Sequence, residues 1–222
     1  MTIVGLIGSG RIGGTVAKLA VTAGHPVILS NSRGPDTLAE LAGELGPLAR
    51  AGTGLEAAEG GDLVVVTIPL RAFRHVDPGP LADKVVIDTC NYYPQRDGQI
   101  PELDSGALTS SELIQRHLAQ SALVKAFNNI FFKHLESLSR PSGAPDRSYL
   151  PIAGDDAAAK AAVTAFLDSI GYGAVDAGPL AESWCQQPGT PVYGAPYGPF
   201  NDEKGSPASA GAIRTALAAA SR

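Results

Sequence analysis

Short runs that are apolar apart from Thr67, Asp88 and Lys125 alternate with longer segments of mixed polarity along the first part of the chain. The runs lie at residues 3–7, 27–29, 63–68, 85–88 and 123–127. Continuous rather than alternating hydrophobicity is typical of strands that a parallel sheet buries on both faces. Between the runs, helices are predicted at residues 14–23, 34–46 and 54–59, and a short strand at 48–51. This alternation predicts an α/β fold with a doubly wound, mainly parallel sheet.

The rest of the chain predicts a second, smaller set of elements. Thr109 to Glu112 form a capping box for a helix that runs to about residue 118. Beyond residue 149, the pattern predicts a strand at 150–153, a helix at 157–170 and a strand at 174–176. Ser206 and Pro207 are predicted to cap an alanine-rich terminal helix.

Three segments are predicted to be loops, at residues 91–106, 140–148 and 186–206. The last is rich in Gly and Pro and carries Tyr193, Tyr197 and Phe200, whose aromatic faces could line a pocket for a planar ring. Loops of this length in compact domains are usually functional or disordered. A role closing over a second substrate is one interpretation of the loop, and a structural strap or a dimer contact is the other.

A glycine-rich turn follows the first apolar run. It fits the pattern G-x-G-x-x-G and consists of Gly8, Ser9, Gly10, Arg11, Ile12 and Gly13. In dinucleotide-binding Rossmann folds the first glycine allows the tight turn, the second admits the pyrophosphate, and the third lets helix and strand pack closely. The alternative is an unliganded turn in another α/β protein. Because the motif lies between a predicted strand and a predicted helix, dinucleotide binding is the better interpretation.

The end of the second apolar run indicates which dinucleotide binds. NAD-specific folds carry Asp or Glu about 20 residues after the glycine turn, to accept hydrogen bonds from the ribose 2′-hydroxyl. This chain has Asn31, Ser32 and Arg33 there, and no acid. A hydroxyl and a guanidinium can bind a 2′-phosphate that a carboxylate would repel. The sequence therefore predicts NADP rather than NAD, with an NADP-binding domain at residues 1–148 and a small C-terminal α/β subdomain at residues 149–222.

Composition narrows the choice of partners and compartment. The 222 residues are 44% hydrophobic and 18% charged, with a net charge of −5, which argues against nucleic acid as a partner. No apolar stretch reaches the length of a membrane span, and the first residues indicate a strand rather than a signal peptide, so no membrane partner and a cytoplasmic location are expected. Cys90 and Cys185 are expected to be reduced thiols, and the histidine spacing predicts no metal site.

Ligands of open parallel sheets bind beyond the carboxyl ends of the strands. That rule adds further candidates to the glycine turn, namely Thr67, Ile68 and Pro69, residues 89–92, and the pair Asn128 and Asn129. An amide at this position could bind a nicotinamide carboxamide, although such a pair can also form an ordinary turn. The sequence shows no Tyr-x-x-x-Lys pair and no His–acid pair to donate a proton, so the catalytic residues are unknown. A partner that is itself a hydride carrier needs no proton donor from the protein.

Six motifs in this order and spacing resemble the deazaflavin-dependent NADP oxidoreductases, which pass hydride between NADP(H) and coenzyme F420. They comprise the glycine turn, Asn31 to Arg33, Thr67 to Pro69, Val124 to Asn128, Gly154 to Asp156 and Asp176 to Leu180. The resemblance implies that Ser32 and Arg33 bind the 2′-phosphate. It also implies that Thr67 to Pro69 line the ribose and nicotinamide side of the cofactor, and that Ala126 and Asn128 border the nicotinamide.

The resemblance ends near residue 182. Residues 184–206 do not match the deazaflavin enzymes, and Asn128 stands where a histidine is expected. The expected function is hydride exchange between NADP(H) and coenzyme F420 or a flavin as a small-molecule redox partner. Two alternatives are an NADPH-dependent reductase of a small imine or carbonyl compound, with Tyr92, Tyr93 or Tyr193 as proton donor, and a non-catalytic NADP(H)-binding sensor. A homodimer is left open.

Overall fold

The computed structural model describes residues 1–221 and contains one eight-stranded sheet. Its order is β3-β2-β1-β4-β5-β6-β7-β8, and every neighbouring pair is parallel except β6 with β7. The predicted doubly wound, mainly parallel fold is confirmed. The strands are β1 (Val4–Ile7), β2 (Val27–Ser30), β3 (Ala49–Ala51), β4 (Leu63–Val66), β5 (Val85–Asp88), β6 (Ala122–Lys125), β7 (Tyr149–Gly154) and β8 (Gly173–Asp176).

Helices cover both faces of the sheet. They are α1 (Arg11–Thr22), α2 (Ala39–Leu45), α3 (Gly54–Gly60), α4 (Pro94–Asp97), α5 (Pro101–Asp104), α6 (Ser110–His117), α7 (Phe132–Ser137), α8 (Ala157–Ser169) and α9 (Ala210–Ala218). Thr109 caps α6 in the predicted capping box, with its hydroxyl accepting from the Glu112 N–H. None of the helices within residues 1–221 is long and apolar enough to cross a lipid bilayer.

Successive residues of β4 enter two separate cores. Val65 packs into the core shared with α1 and α8, whereas Val64 and Val66 pack into the core on the opposite face, with α6. All three valines are at most 1% exposed. Because both faces of the strand are covered, the strand reads as a continuous apolar run, as the sequence suggested.

Three local features differ from the sequence-based expectation. The second helix starts with a 3₁₀ turn, Pro35–Leu38, and the predicted loop 91–106 contains the one-turn helices α4 and α5, each with a proline at its start. The predicted cap of the terminal helix at Ser206 and Pro207 is wrong. Ser209 caps α9, because its hydroxyl accepts a hydrogen bond from the Ala212 N–H at 3.2 Å.

The last two strands extend the sheet instead of starting another one. β7 runs antiparallel to β6, with Lys125 opposite Ala153, and β8 then runs parallel to β7. The reversal places Tyr149, the first residue of β7, toward the edge of the sheet where β1 to β6 end. The division at residue 148 stays a prediction, and the segment after it contributes to the same edge as the glycine turn.

Candidate functional site

A cleft of about 710 Å³ lies at the carboxyl ends of β1, β2 and β4. Three segments that are far apart in the sequence line this cleft together. The predicted site residues that line it are Gly8, Ser9, Gly10, Asn31, Ser32, Arg33, Thr67, Ile68 and Pro69. This is the position at which open parallel sheets bind their ligands.

The glycine turn has the geometry that a dinucleotide requires. A Cβ atom on Gly13 would lie 2.3 Å from the Gly8 carbonyl oxygen, so only glycine lets α1 approach β1 this closely. A Cβ atom on Gly10 would meet nothing within 4 Å, which leaves space in front of the start of α1. No side chain caps this helix end and its first turn contains no acid. The turn therefore offers an anion open space and the positive end of a helix dipole.

Asn31 shapes the loop that follows β2. Its side-chain oxygen accepts a hydrogen bond from the Arg33 N–H at 2.8 Å, and its amide nitrogen donates to the Thr37 hydroxyl at 2.9 Å. These bonds turn the backbone so that Ser32 and Arg33 are exposed at the cleft. Asn31 thus lines the cleft while its amide group is engaged in holding the loop.

Part of the cleft lining comes from residues outside the predicted set. Leu55 is on the first turn of α3 and is 52% exposed, and His75 and Asp77 follow β4. Asp77 accepts a hydrogen bond from the Gly79 N–H, so its carboxylate is turned into its own loop. A leucine two residues after the capping residue Thr53 was the signal in the sequence for this part of the lining.

The remaining predicted residues do not line the cleft. Gly13 is buried in the first turn of α1, Ala126 is fully buried just after β6, and Arg11, Ile12 and Asn128 lie outside the cleft lining. Their place in a cofactor site stays a prediction.

Asn128 is held by partners from two other segments. Its amide nitrogen donates to the Asn91 side-chain oxygen at 3.0 Å and to the Gln186 carbonyl at 2.7 Å, while the Asn91 amide donates to the Asn128 carbonyl at 2.8 Å. The side-chain oxygen of Asn128 is buried and has no partner among residues 1–221. The residue thus joins the ends of β5 and β6 to the C-terminal loop and retains one free acceptor.

The loop 186–206 crosses the same edge of the sheet. Tyr193 and Tyr93 share a hydrogen bond between their phenol oxygens at 2.5 Å, which connects this loop to the one after β5. The expectation that Tyr197 offers a free aromatic face is wrong. Tyr197 is fully buried and its hydroxyl donates to the Tyr149 carbonyl at 2.8 Å, so it anchors the loop in the core.

A buried ion pair supports the ends of β5 and β6. The Lys125 ammonium lies 3.0 Å from the Asp88 carboxylate, and both side chains are inaccessible to solvent. Lys125 also donates to the Cys90 carbonyl and, at 3.3 Å, to the Ser110 hydroxyl. The pair therefore fixes the backbone just before Asn91.

Both cysteines are free and buried. Burial raises the pKa of the Cys90 thiol well above its usual range, and the Asp88 carboxylate adds to the effect. Burial raises the pKa of Cys185 to about 11. Neither thiol has the low pKa of a reactive cysteine. Across residues 1–221, no group of three or more His, Cys, Asp or Glu side chains could hold a metal ion.

Residues 3–92 match the profile of a family described as NADP oxidoreductase, coenzyme F420-dependent. The matched range contains the glycine turn, β2 with Asn31 to Arg33, and β4 with Thr67 to Pro69. This match supports NADP-dependent oxidoreduction in general.

Two solved structures are similar over most of the chain. A hypothetical protein from Sinorhizobium meliloti is 28% identical, with a TM-score of 0.74, over 86% of this chain and 93% of that one. A proposed F420-dependent NADP reductase from Arthrobacter sp. FB24 is 25% identical, with a TM-score of 0.68, over 82% of this chain and 87% of that one.

A more distant structure shares only the fold. A reductive aminase from Aspergillus terreus, solved with NADPH and ethyl-5-oxohexanoate, is 16% identical with a TM-score of 0.58. The match covers 82% of this chain and 56% of that one. No curated protein matches the sequence.

Proposed function

We propose that the protein exchanges hydride between NADP(H) and a deazaflavin, such as coenzyme F420, or a flavin. The observation that carries the proposal is the single cleft that joins an open glycine turn to an exposed Ser32–Arg33 pair. The match of residues 3–92 to the F420-dependent NADP oxidoreductase family agrees with it.

The cleft fits NADP better than NAD. The space in front of Gly10 accommodates a pyrophosphate, and Arg33 supplies a positive charge beyond the end of β2. The only carboxylate that lines the cleft within residues 1–221 is Asp77, whose side-chain oxygen accepts a hydrogen bond from the Gly79 N–H in its own loop. A 2′-phosphate near Ser32 and Arg33 would therefore meet a hydroxyl and a guanidinium without a repelling acid.

The tyrosines of the loop after β5 and of the loop 186–206 favour ring stacking over proton donation. The Tyr92 hydroxyl donates to Asp104 at 2.6 Å, and burial followed by this bond raises the pKa of Tyr92. Burial, and then the hydrogen bond with Tyr93, raises the pKa of Tyr193 well above its usual range. Both phenols hold their protons tightly. When bound, the nicotinamide supplies the hydride, and the chain's own residues orient the rings and exclude water.

The tyrosine pair also supports a second candidate function. Tyr93 and Tyr193 are only partly buried, and their phenols lie at the same edge of the sheet as the cleft. The Tyr93 phenol, which is hydrogen-bonded to that of Tyr193, could donate a proton to the product of imine or carbonyl reduction. A sensor that binds NADP(H) without turnover would need neither the pair nor an acceptor.

Anaerobic mixing followed by absorbance tests these functions. The protein is incubated with NADPH and either coenzyme F420, FMN or FAD, and parallel samples contain NADH or a panel of small imines and ketones. We expect joint bleaching of NADPH and of one ring acceptor, and none with a Gly10→Val control. Oxidation of NADPH only by the imines or ketones would support the reductase. NADPH binding without turnover in any sample would support the sensor.

A further inference from the structure

We propose that Arg11 and a strip of aromatic side chains form the binding site for the second substrate, a flat ring that carries a negatively charged group. The ring would lie on the strip and the anion on Arg11. The inference rests on the proposed function and specifies its second substrate. The aromatic strip consists of Phe131, Phe132, Tyr193 and Phe200.

The aromatic strip is continuous across two segments of the chain. Ring centroids are 4.7 Å apart for Phe131 and Phe132, 5.7 Å for Phe131 and Phe200, and 6.4 Å for Tyr193 and Phe200, each pair edge to face. Phe200 is still 53% exposed. The strip therefore exposes aromatic surface that is not needed to fill the hydrophobic core.

The loop is built to hold Phe200 in this position. A Cβ atom on residue 194 would lie 2.5 Å from the tip of the Phe200 ring, and Gly194 has a φ angle of 77°. The positive φ angle favours glycine, and a Cβ atom here would displace the Phe200 ring. The Gly194 N–H donates to the Asn129 carbonyl at 2.8 Å, which ties this part of the loop to the end of β6. Phe200 is thus packed on glycine backbone and kept at the surface.

Arg11 supplies a free positive charge at one end of the strip. Its guanidinium carbon lies 5.2 Å from the Phe132 centroid, and the residue is exposed. The nearby cations are already neutralised, since Lys18 pairs with Glu136 and Lys133 pairs with Glu203. Within residues 1–221, no carboxylate lies at ion-pair distance from Arg11. The chain carries a net charge of −5, and the unpaired positive charge of Arg11 would attract an anionic ligand to this part of the surface.

The strip lies beside the predicted cofactor residues. Arg11 belongs to the glycine turn, Phe131 and Phe132 follow Asn128 closely, and Tyr193 is bonded to Tyr93. The Arg11 side chain points toward Phe132 and does not line the cleft that holds Ser32 and Arg33. Its backbone can therefore serve the glycine turn while its side chain serves a different ligand.

FMN and riboflavin test the proposal because they share one ring system and only FMN carries a phosphate. Each is titrated by fluorescence into the wild-type protein and the Arg11→Gln variant, without NADPH. We expect the wild type to bind FMN about tenfold more tightly than riboflavin, and Arg11→Gln to remove that preference. Phe200→Ser should weaken both ligands to the same degree. Arg74→Gln is the matched control, because Arg74 lies over Phe73 at 5.1 Å outside the strip and should change nothing.

Equal binding of FMN and riboflavin to the wild type would overturn the proposal. So would a loss of NADPH affinity in Arg11→Gln with FMN affinity retained, since the guanidinium would then serve the dinucleotide. Hydride transfer is measured separately. If FMN binds through Arg11 but NADPH reduces no ring acceptor, the proposed function fails while the site stands.

Discussion

The phenol oxygens of Tyr93 and Tyr193 lie 2.5 Å apart, in residues that are 100 positions apart in the sequence. One belongs to the loop after β5 and the other to the loop 186–206. Tyr93 is also covered by the Arg96 guanidinium, 4.9 Å from the ring centroid. The bond therefore closes one side of the region where β5 and β6 end.

Removing this hydrogen bond should weaken the binding of the acceptor and leave the binding of NADPH unchanged. Tyr193→Phe keeps the ring in the aromatic strip and removes one hydrogen bond, worth about 1 kcal/mol, or roughly fivefold in an equilibrium constant. We expect the KM for the acceptor to rise by about that factor and the NADPH dissociation constant to stay unchanged. Tyr92→Phe is the control, because the Tyr92 hydroxyl bonds within its own loop. Steady-state kinetics identical to wild type would give the loop a purely structural role.

Arg33 should determine the choice between NADPH and NADH. Arg33→Asp replaces a cation at the cleft with an anion, and we expect NADPH binding to weaken by about 2–3 kcal/mol through loss of a charge-assisted contact and added repulsion. NADH binding should change far less. Ser32→Ala, which removes one neutral hydroxyl, should cost NADPH about 1 kcal/mol. Equal losses for both cofactors, measured by calorimetry, would show that Arg33 does not contact the 2′-phosphate.

Substitutions at two glycines of the same turn should have different effects, one on cofactor binding and the other on stability. Gly10→Val has open space around its side chain, so the protein should fold with an unchanged melting temperature and yet bind neither dinucleotide. Gly13→Val would force a side chain against the Gly8 carbonyl and should lower stability itself. Thermal unfolding and NADPH titration separate the two effects. Normal NADPH affinity in folded Gly10→Val would refute dinucleotide binding at this turn.

The buried ion pair should be far more important for stability than a surface pair. Lys125→Met leaves the Asp88 carboxylate buried without its cation and should lower the free energy of unfolding by about 3–5 kcal/mol. Lys160→Met is the matched control, because Lys160 pairs with an Asp176 side chain that is 56% exposed, and should cost less than about 1 kcal/mol. Denaturant unfolding measures both. Similar losses in the two variants would mean that the buried pair contributes no more than an exposed one.

Local sequence patterns predicted the strands of the sheet and the part of the cleft formed by the glycine turn and Ser32–Arg33. Apolar runs located the strands because both faces of those strands are covered, and the glycine turn and Ser32–Arg33 follow strands directly. Leu55 and His75 were not predicted, since their place in the cleft depends on how α3 and the segment after β4 pack around β1. The cap at Ser209 was missed because an earlier serine–proline pair fits the same local rule.

Contacts between distant segments account for the remaining differences. Asn128 is buried because Asn91 and Gln186 approach it from 37 and 58 residues away. Tyr197 is a core residue because β7 reverses direction and brings the Tyr149 carbonyl to the loop. No periodicity within the loop itself distinguishes an inward tyrosine from an outward one.

The loop 186–206 is attached by two fully buried hydrophobic residues, Val192 and Tyr197, and adds no strand to the sheet. Tyr193 and Phe200, which form part of the aromatic strip, alternate with these anchors along the chain. Substitutions at the outward positions can therefore accumulate without altering strand register or the dinucleotide cleft. Under the proposed function, a lineage that keeps the two anchors could change its redox partner through substitutions in this one segment, so that substrate preference diverges faster than the fold.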